Sequence, residues 1–145
     1  KAISQRLGIS HRRDGSCGAL KRSAFISDAR TGAIVVYDRL GRSAWRFADA
    51  TTAADPSFAF MIEGVAYGNA TFTTPADGIA LLPDRSRVVY CALQGDLLWS
   101  VEAAVLGDAT SSQAEVQATQ QLLGAYAKPS SGPCTSGLRL FVPSV

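Results

Sequence analysis

The sequence has 145 residues, a length typical of one domain. Hydrophobic residues make up 47% and charged residues 18%, a composition that excludes an intrinsically disordered chain. A net charge of +2 gives no electrostatic reason for nucleic-acid binding, and no apolar run reaches the roughly 18 residues of a membrane span. We therefore expect a globular protein whose partners are neither nucleic acid nor the interior of a membrane.

The first three segments with a strand pattern lie at residues 23–27, 33–38 and 43–47. Residues 28–32 and 39–42 between them contain Asp, Arg, Thr and Gly, which are typical of turns. The last run, "SAWRF", alternates aromatic and polar residues, so that its two aromatic side chains share one face. This spacing predicts an antiparallel meander.

The same pattern returns downstream, with apolar runs at residues 78–82, 88–93 and 97–101 separated by Pro-, Asp- and Gly-containing turns. The segments "AIVVYDRLGRSAWRF" and "RVVYCALQGDLLWSV" share the order strand, turn and Trp-containing strand, which places Trp45 and Trp99 at equivalent points. Residues 136–145, "SGLRLFVPSV", begin what looks like a third unit. We interpret the chain as a structural repeat.

The two connections between these units differ. Residues 48–75 are long and irregular, and "FAFMIEGVAY" within them predicts an additional edge strand. Residues 111–124 predict a short helix, in which Ser112 and Glu115 form a capping box and Gly124 ends the helix.

Repeats of about 40 to 55 residues with three or four strands fit the blades of a β-propeller better than an antiparallel sandwich, the alternative architecture. We predict an all-β fold of propeller blades with a short helix between them. The predicted blade units cover residues 23–66 and 76–110, and another begins at about residue 130.

Several segments resemble the Yellow and major royal jelly protein family. Residues 27–28, 34–38 and 43–47 resemble its blade pattern "Ser-Asp … Leu-Ile-Val-Tyr-Asp … Ser-Trp-Arg-Phe". The likeness continues in register through residues 55–56, 62–65, 77–83, 89–93, 123–124 and 130–132.

This resemblance implies part of a secreted, six-bladed propeller. The chain accounts for two to three blades, so the remaining blades or a partner chain are needed to close the ring without free sheet edges. We expect the sequence to be a piece of a longer protein and the protein to be extracellular.

Cysteine and asparagine residues bear on that localisation. Asn69 is the only asparagine and lies in the glycosylation pattern Asn-Ala-Thr. Cys17, Cys91 and Cys134 include no CxxC pair, which disfavours a zinc site. Cys17 lies where many family members carry a cysteine; its pairing with Cys134 or with a cysteine outside this chain stays open, and Cys91 is expected to be a small buried side chain.

Propellers bind ligands at the ends of their innermost strands, around the central channel. By position, residues 24–28, 78–82 and 136–140 are the predicted innermost strands. The candidate ligand-binding residues are Asp28, Asp77, Gly78, Ser131 and Thr135. The two carboxylates either meet a cationic ligand or simply cap turns by accepting backbone N–H groups.

The family resemblance implies binding of a small aromatic or amine ligand, which a carboxylate and aromatic walls suit. Two alternatives stay open: a metal-dependent lactonase-type propeller enzyme and a structural or storage protein without a specific ligand. No catalytic signature is present, because His11 is the only histidine and no carboxylate spacing marks an acid–base pair. We predict no metal site and no cofactor, and leave open whether the protein is an enzyme.

Overall fold

The structure of the protein is a computed structural model that describes residues 23–58, 60–62, 65–67 and 73–125. A first antiparallel sheet has the order β1-β2-β3 and is followed by a two-stranded hairpin, β4-β5. The bounds are β1 Ser23–Asp28, β2 Ala33–Asp38, β3 Ser43–Phe47, β4 Phe60–Ile62 and β5 Val65–Tyr67.

A second antiparallel sheet has four strands in the order β6-β7-β8-β9, and two short helices lie in the chain between β8 and β9. The bounds are β6 Ala76–Leu81, β7 Arg87–Ala92, β8 Leu97–Glu102, α1 Ala103–Leu106, α2 Gln113–Ala118 and β9 Gln121–Ala125. Neither helix within the described part of the chain has the length and apolar character needed to cross a membrane.

The predicted helix begins where expected but ends early. The Ser112 Oγ accepts from the Glu115 backbone N–H (3.2 Å), and the Glu115 carboxylate accepts from the Ser112 N–H (2.7 Å), as in a capping box. The expected helical end at Gly124 is wrong, because α2 ends at Ala118 and the chain then pairs with β8 as strand β9. Pairing satisfies backbone groups along β8, an advantage that helical spacing alone does not reveal. The predicted unit ending at residue 110 therefore omits the fourth strand of its sheet.

The hydrophobic core lies between the two sheets. Ile34, Val36 and Phe47 of the first sheet are at most 2% exposed. They belong to one cluster with residues of the second sheet and its helices, namely Val88, Tyr90, Val101, Ala103, Leu106 and Val116. The Trp45 indole N–H also donates to the Leu106 carbonyl (3.0 Å), which ties β3 to the end of α1. The sheets therefore pack face to face, as neighbouring layers do around a common core.

The two sheets meet at one end, which we call the shared edge: the end where β1 finishes and β6 begins. The Thr52 hydroxyl donates to the carbonyl of Gly32, the residue just before β2 (2.6 Å). The Thr52 carbonyl accepts from the Ala76 N–H at the start of β6 (2.9 Å). Strands β1 and β6 therefore run in opposite directions.

This direction corrects the repeat alignment. Blades related by rotation about a common axis carry equivalent strands that run the same way along it, so β1 is equivalent to β7, β2 to β8 and β3 to β9. Trp45 on β3 and Trp99 on β8 are therefore not equivalent, and the alignment made from the sequence is wrong by one strand. Neighbouring strands of a meander share the same two-residue alternation, so a shift of one strand leaves the sequence pattern unchanged.

We predict that Ile34→Ala lowers the free energy of unfolding by about 2–5 kcal/mol, because it leaves a cavity between the sheets. Leu40→Ala is the matched control: Leu40 is 61% exposed in the β2–β3 turn, and its truncation should change stability by less than about 0.5 kcal/mol. Urea unfolding followed by tryptophan fluorescence measures both, and Ile34→Val, expected to cost about 0.5–1.5 kcal/mol, serves if the alanine variant does not fold. Equal losses at both positions would contradict an inter-sheet core.

Candidate functional site

The shared edge carries an open cleft of about 450 Å³. Its walls come from the β1–β2 turn, from the segment after β3 and from the residues just before β6. Small side chains predominate among the lining residues, which are Arg30, Thr31, Gly32, Ala48, Asp49, Ala53, Ala54, Thr73 and Pro75. One cationic and one anionic side chain therefore lie in an otherwise small-residue surface.

Gly32 fixes the shape of one wall. Its backbone has φ +68°, a conformation that glycine adopts without strain. An added Cβ would lie 3.0 Å from the Pro75 Cβ and 3.3 Å from the Thr52 carbonyl oxygen. A side chain here would strain the backbone and crowd Pro75 and Thr52, so glycine suits the close packing of the turn against these two residues.

A hydrogen-bonded group centred on Asp49 lies behind the cleft. The Thr51 hydroxyl (2.6 Å) and backbone N–H (2.8 Å) donate to Asp49 Oδ1, and the Gln120 amide donates to Asp49 Oδ2 (2.9 Å). Because Thr51 gives its hydroxyl proton to Asp49, the buried Tyr90 hydroxyl donates to Thr51 (2.7 Å) and accepts from Gln120 (2.8 Å). Burial raises the pKa of the Tyr90 phenol above its ordinary value, so the phenol stays neutral at physiological pH.

This group connects the segment after β3 with β7 and with the residue just before β9. The sequence alone did not predict it. Tyr90 lies in the apolar run "VVYCAL", where an aromatic residue indicates only core packing. Its hydroxyl partners are 39 and 30 residues away along the chain, so no local motif joins them.

The Asp28 carboxylate is engaged by its own turn and by an arginine on β3, two strands away in the same sheet. It accepts from the Arg30 N–H (3.1 Å), from the Thr31 N–H (3.3 Å) and from the Thr31 hydroxyl (2.6 Å). Arg46 on β3 adds an ion pair at 3.1 Å. The Thr31 side chain is the main cause of the lowered pKa of this carboxyl, with smaller contributions from the two backbone groups and Arg46. These contacts are those of a turn cap, the second of the two roles considered for this residue.

Asp77 lies at the same edge in a different environment. It is exposed at the start of β6, and it is the extra residue of a β-bulge: Ala76 pairs with Ala92 and Gly78 pairs with Cys91, which leaves Asp77 without a partner on β7. Within the described ranges, no group donates a hydrogen bond to its carboxylate. The structure thus brings the two predicted aspartates to one edge, and among the described residues the Asp28 carboxylate has hydrogen-bond partners whereas that of Asp77 has none.

The strand assignment behind these two predictions changes for β1. The two sheets approach each other closely at β1 and β6, and the equivalence of β1 with β7 makes β1 the second strand of its blade. By this equivalence residues 24–28 are not an innermost strand, and the assignment of β6 as one stays a prediction.

The other sequence predictions fall mainly outside the described residues. These include the ligand candidates Ser131 and Thr135, the glycosylation candidate Asn69 and the cysteines Cys17 and Cys134. Cys91 is buried on β7, as expected. In the part of the chain that the structure describes, no three His, Cys, Asp or Glu side chains are grouped so that they could hold a metal ion.

Antiparallel sheets that pack face to face occur both in sandwiches and as neighbouring blades of a β-propeller. The family model described as Major royal jelly protein matches residues 8–132. The chain belongs to the major royal jelly protein family, and its described sheets form part of that family's propeller fold. No curated protein matches the chain.

We predict a pH-dependent loss of stability in Asp28→Asn. A carboxyl whose folded pKa is lowered stabilises the fold above its unfolded pKa, which is ordinarily 3.8, and this contribution is lost as the pH falls through the folded pKa. At pH 7 the variant should lose up to about 1 kcal/mol, because asparagine keeps an accepting oxygen but loses the charge that strengthens these hydrogen bonds and pairs with Arg46. The difference should shrink as the pH falls below 3.8 and through the lowered folded pKa. Urea unfolding across pH measures it, with Asp96→Asn in the β7–β8 turn as the charge-matched control. A difference that stays constant with pH would contradict this assignment.

Proposed function

We propose that this chain forms part of a secreted propeller protein that binds a small aromatic or amine ligand in the central channel, at the shared edge. The observation that carries the proposal is Asp77: an exposed carboxylate at the start of the strand β6, displaced from the regular ladder by a bulge. Bulges are frequent next to binding sites because they redirect a side chain.

The chemistry of this carboxylate favours a cationic ligand. An ionised carboxylate accepts hydrogen bonds and pairs with an ammonium group. Asp28, the other predicted aspartate, already accepts three hydrogen bonds from its turn and pairs with Arg46. Asp77 is therefore the residue that we assign to the ligand, and Gly78 beside it leaves room for the buried Cys91 side chain on β7.

The aromatic part of the proposed ligand and the extracellular location rest on family membership. The family is typically secreted, and the sequon at Asn69 fits passage through a glycosylating compartment. A complete ring needs more blades than the two described sheets supply, so we propose that further blades or a partner chain close the channel.

The binding experiment is a calorimetric titration of the purified protein with two probes: tyramine, a phenolic amine that is cationic at pH 7, and tyrosol, its neutral hydroxyl analogue. Asp77→Asn should weaken tyramine binding by about 5- to 10-fold, the loss of one partly exposed charge pair, and leave tyrosol binding within about twofold. Asp96→Asn removes the same charge elsewhere and should change neither affinity.

Equal tyramine affinities for wild type, Asp77→Asn and Asp96→Asn would remove Asp77 from the site. A rise in melting temperature on addition of calcium, lost in Asp77→Asn, would favour the alternative of a metal-dependent lactonase-type enzyme. Binding of neither probe and no calcium effect would favour the structural or storage role.

A further inference from the structure

The backbone at the Asp77 bulge is held by the neighbouring sheet. The Ser27 hydroxyl, on β1 of the first sheet, donates to the Asp77 carbonyl at 2.7 Å. Because Asp77 has no paired residue on β7, this contact from the first sheet supplies a partner to a peptide group that the regular ladder leaves out.

Ser27 is directed towards Asp77 by its position in the first sheet. It pairs with Ile34, which in turn pairs with Phe47, and cross-strand neighbours share one face of a sheet. Ile34 and Phe47 are buried in the core between the sheets. The Ser27 side chain therefore points across the same interface, at its shared-edge end, where a hydroxyl can reach β6.

Gly78 leaves little room for a side chain on the side of the bulge that faces β7. A Cβ at this position would lie 2.7 Å from the Cys91 Sγ on β7, a distance that real Cβ atoms essentially never show. Glycine at position 78 therefore avoids a contact that would require the buried Cys91 side chain to shift. Asp77, on β6, thus has its carbonyl held by the first sheet, and the glycine after it fits beside Cys91 of β7.

We propose that Ser27 is a positioning residue for the ligand-binding carboxylate: by holding the Asp77 carbonyl it fixes the direction in which the Asp77 side chain leaves the bulge. A residue of the first sheet thereby orients the ligand-binding side chain of the second. This inference rests on the proposed function of Asp77 and extends it to a residue that need not touch the ligand.

Ser27→Ala removes the donor and Ser27→Thr retains it, while Ser43→Ala removes an exposed hydroxyl at the start of β3 and serves as the control. Titrations with tyramine and tyrosol should show a tyramine affinity about 3- to 10-fold weaker in Ser27→Ala, a range typical of one lost hydrogen bond. Tyrosol affinity should stay within about twofold, because a general loosening of the fold would weaken both probes alike. Ser27→Thr should restore tyramine binding.

The double variant Ser27→Ala/Asp77→Asn separates positioning from an independent contribution. If Ser27 acts through Asp77, the double variant binds tyramine no more weakly than Asp77→Asn alone. The proposal would be overturned if the loss of tyramine affinity in the double variant equalled the product of the two single losses. It would also be overturned if Ser27→Ala bound tyramine as tightly as the wild type.

A second measurement distinguishes this inference from the proposed function. Hydrogen exchange of the peptide covering residues 76–81 should be at least about threefold faster in Ser27→Ala and unchanged in Ser43→Ala, whether or not any ligand binds. If tyramine does not bind the wild type, the proposed function fails, and this exchange comparison still decides whether Ser27 holds the bulge. Equal exchange in Ser27→Ala and wild type would exclude that role.

Discussion

The structure depends on the packing of the first sheet against the second. Each sheet is a single layer, and a single layer can bury its apolar side chains only against another. Ile34, Val36 and Phe47 supply one side of that contact, and Tyr90 and Val101 supply the other. Full burial of an aliphatic or aromatic side chain is worth about 1.5–3 kcal/mol, so these five residues together outweigh any single polar contact at the shared edge.

The shared edge follows from this packing. Once the sheets lie face to face, the residue before β2 and the beginning of β6 are close enough for Thr52 to bond both. Buried polar groups at such a junction must find partners, and the hydroxyl of Tyr90 finds them in Thr51 and Gln120. The apolar core brings the two sheets together, and these hydrogen bonds then fix the relative position of the segments at the shared edge. That combination gives the bulge at Asp77 a defined surrounding.

Much of the local structure was predictable from the sequence. The bounds of β2 and β3 match the predicted runs because two-residue alternation and turn residues mark both ends. The capping box at Ser112 was equally local. Strand β9 was not predictable in this way: Leu122 and Leu123 are about half exposed, and its pairing with β8 is a tertiary contact.

The candidate site was predictable only in part, because it too depends on tertiary contacts. Asp28 and Asp77 both precede turn-like residues, and the sequence gives no way to tell which carboxylate is already occupied. Arg46 and Thr31 engage Asp28 through contacts set by strand register, whereas the extra residue at Asp77 is visible only once β6 and β7 are paired. Family resemblance supplied the fold, and the contacts of individual side chains supplied the ranking of the two aspartates.

The most direct test of the account is native-state hydrogen exchange at increasing urea, comparing the Val36 amide in the centre of the first sheet with the Val101 amide in the second. If the two sheets fold around one core, the opening free energies of the two amides should converge to one value with one urea dependence. If instead one sheet exchanges while the other stays protected, the two amides keep separate opening free energies and urea slopes at all urea concentrations. That result would contradict a single shared core.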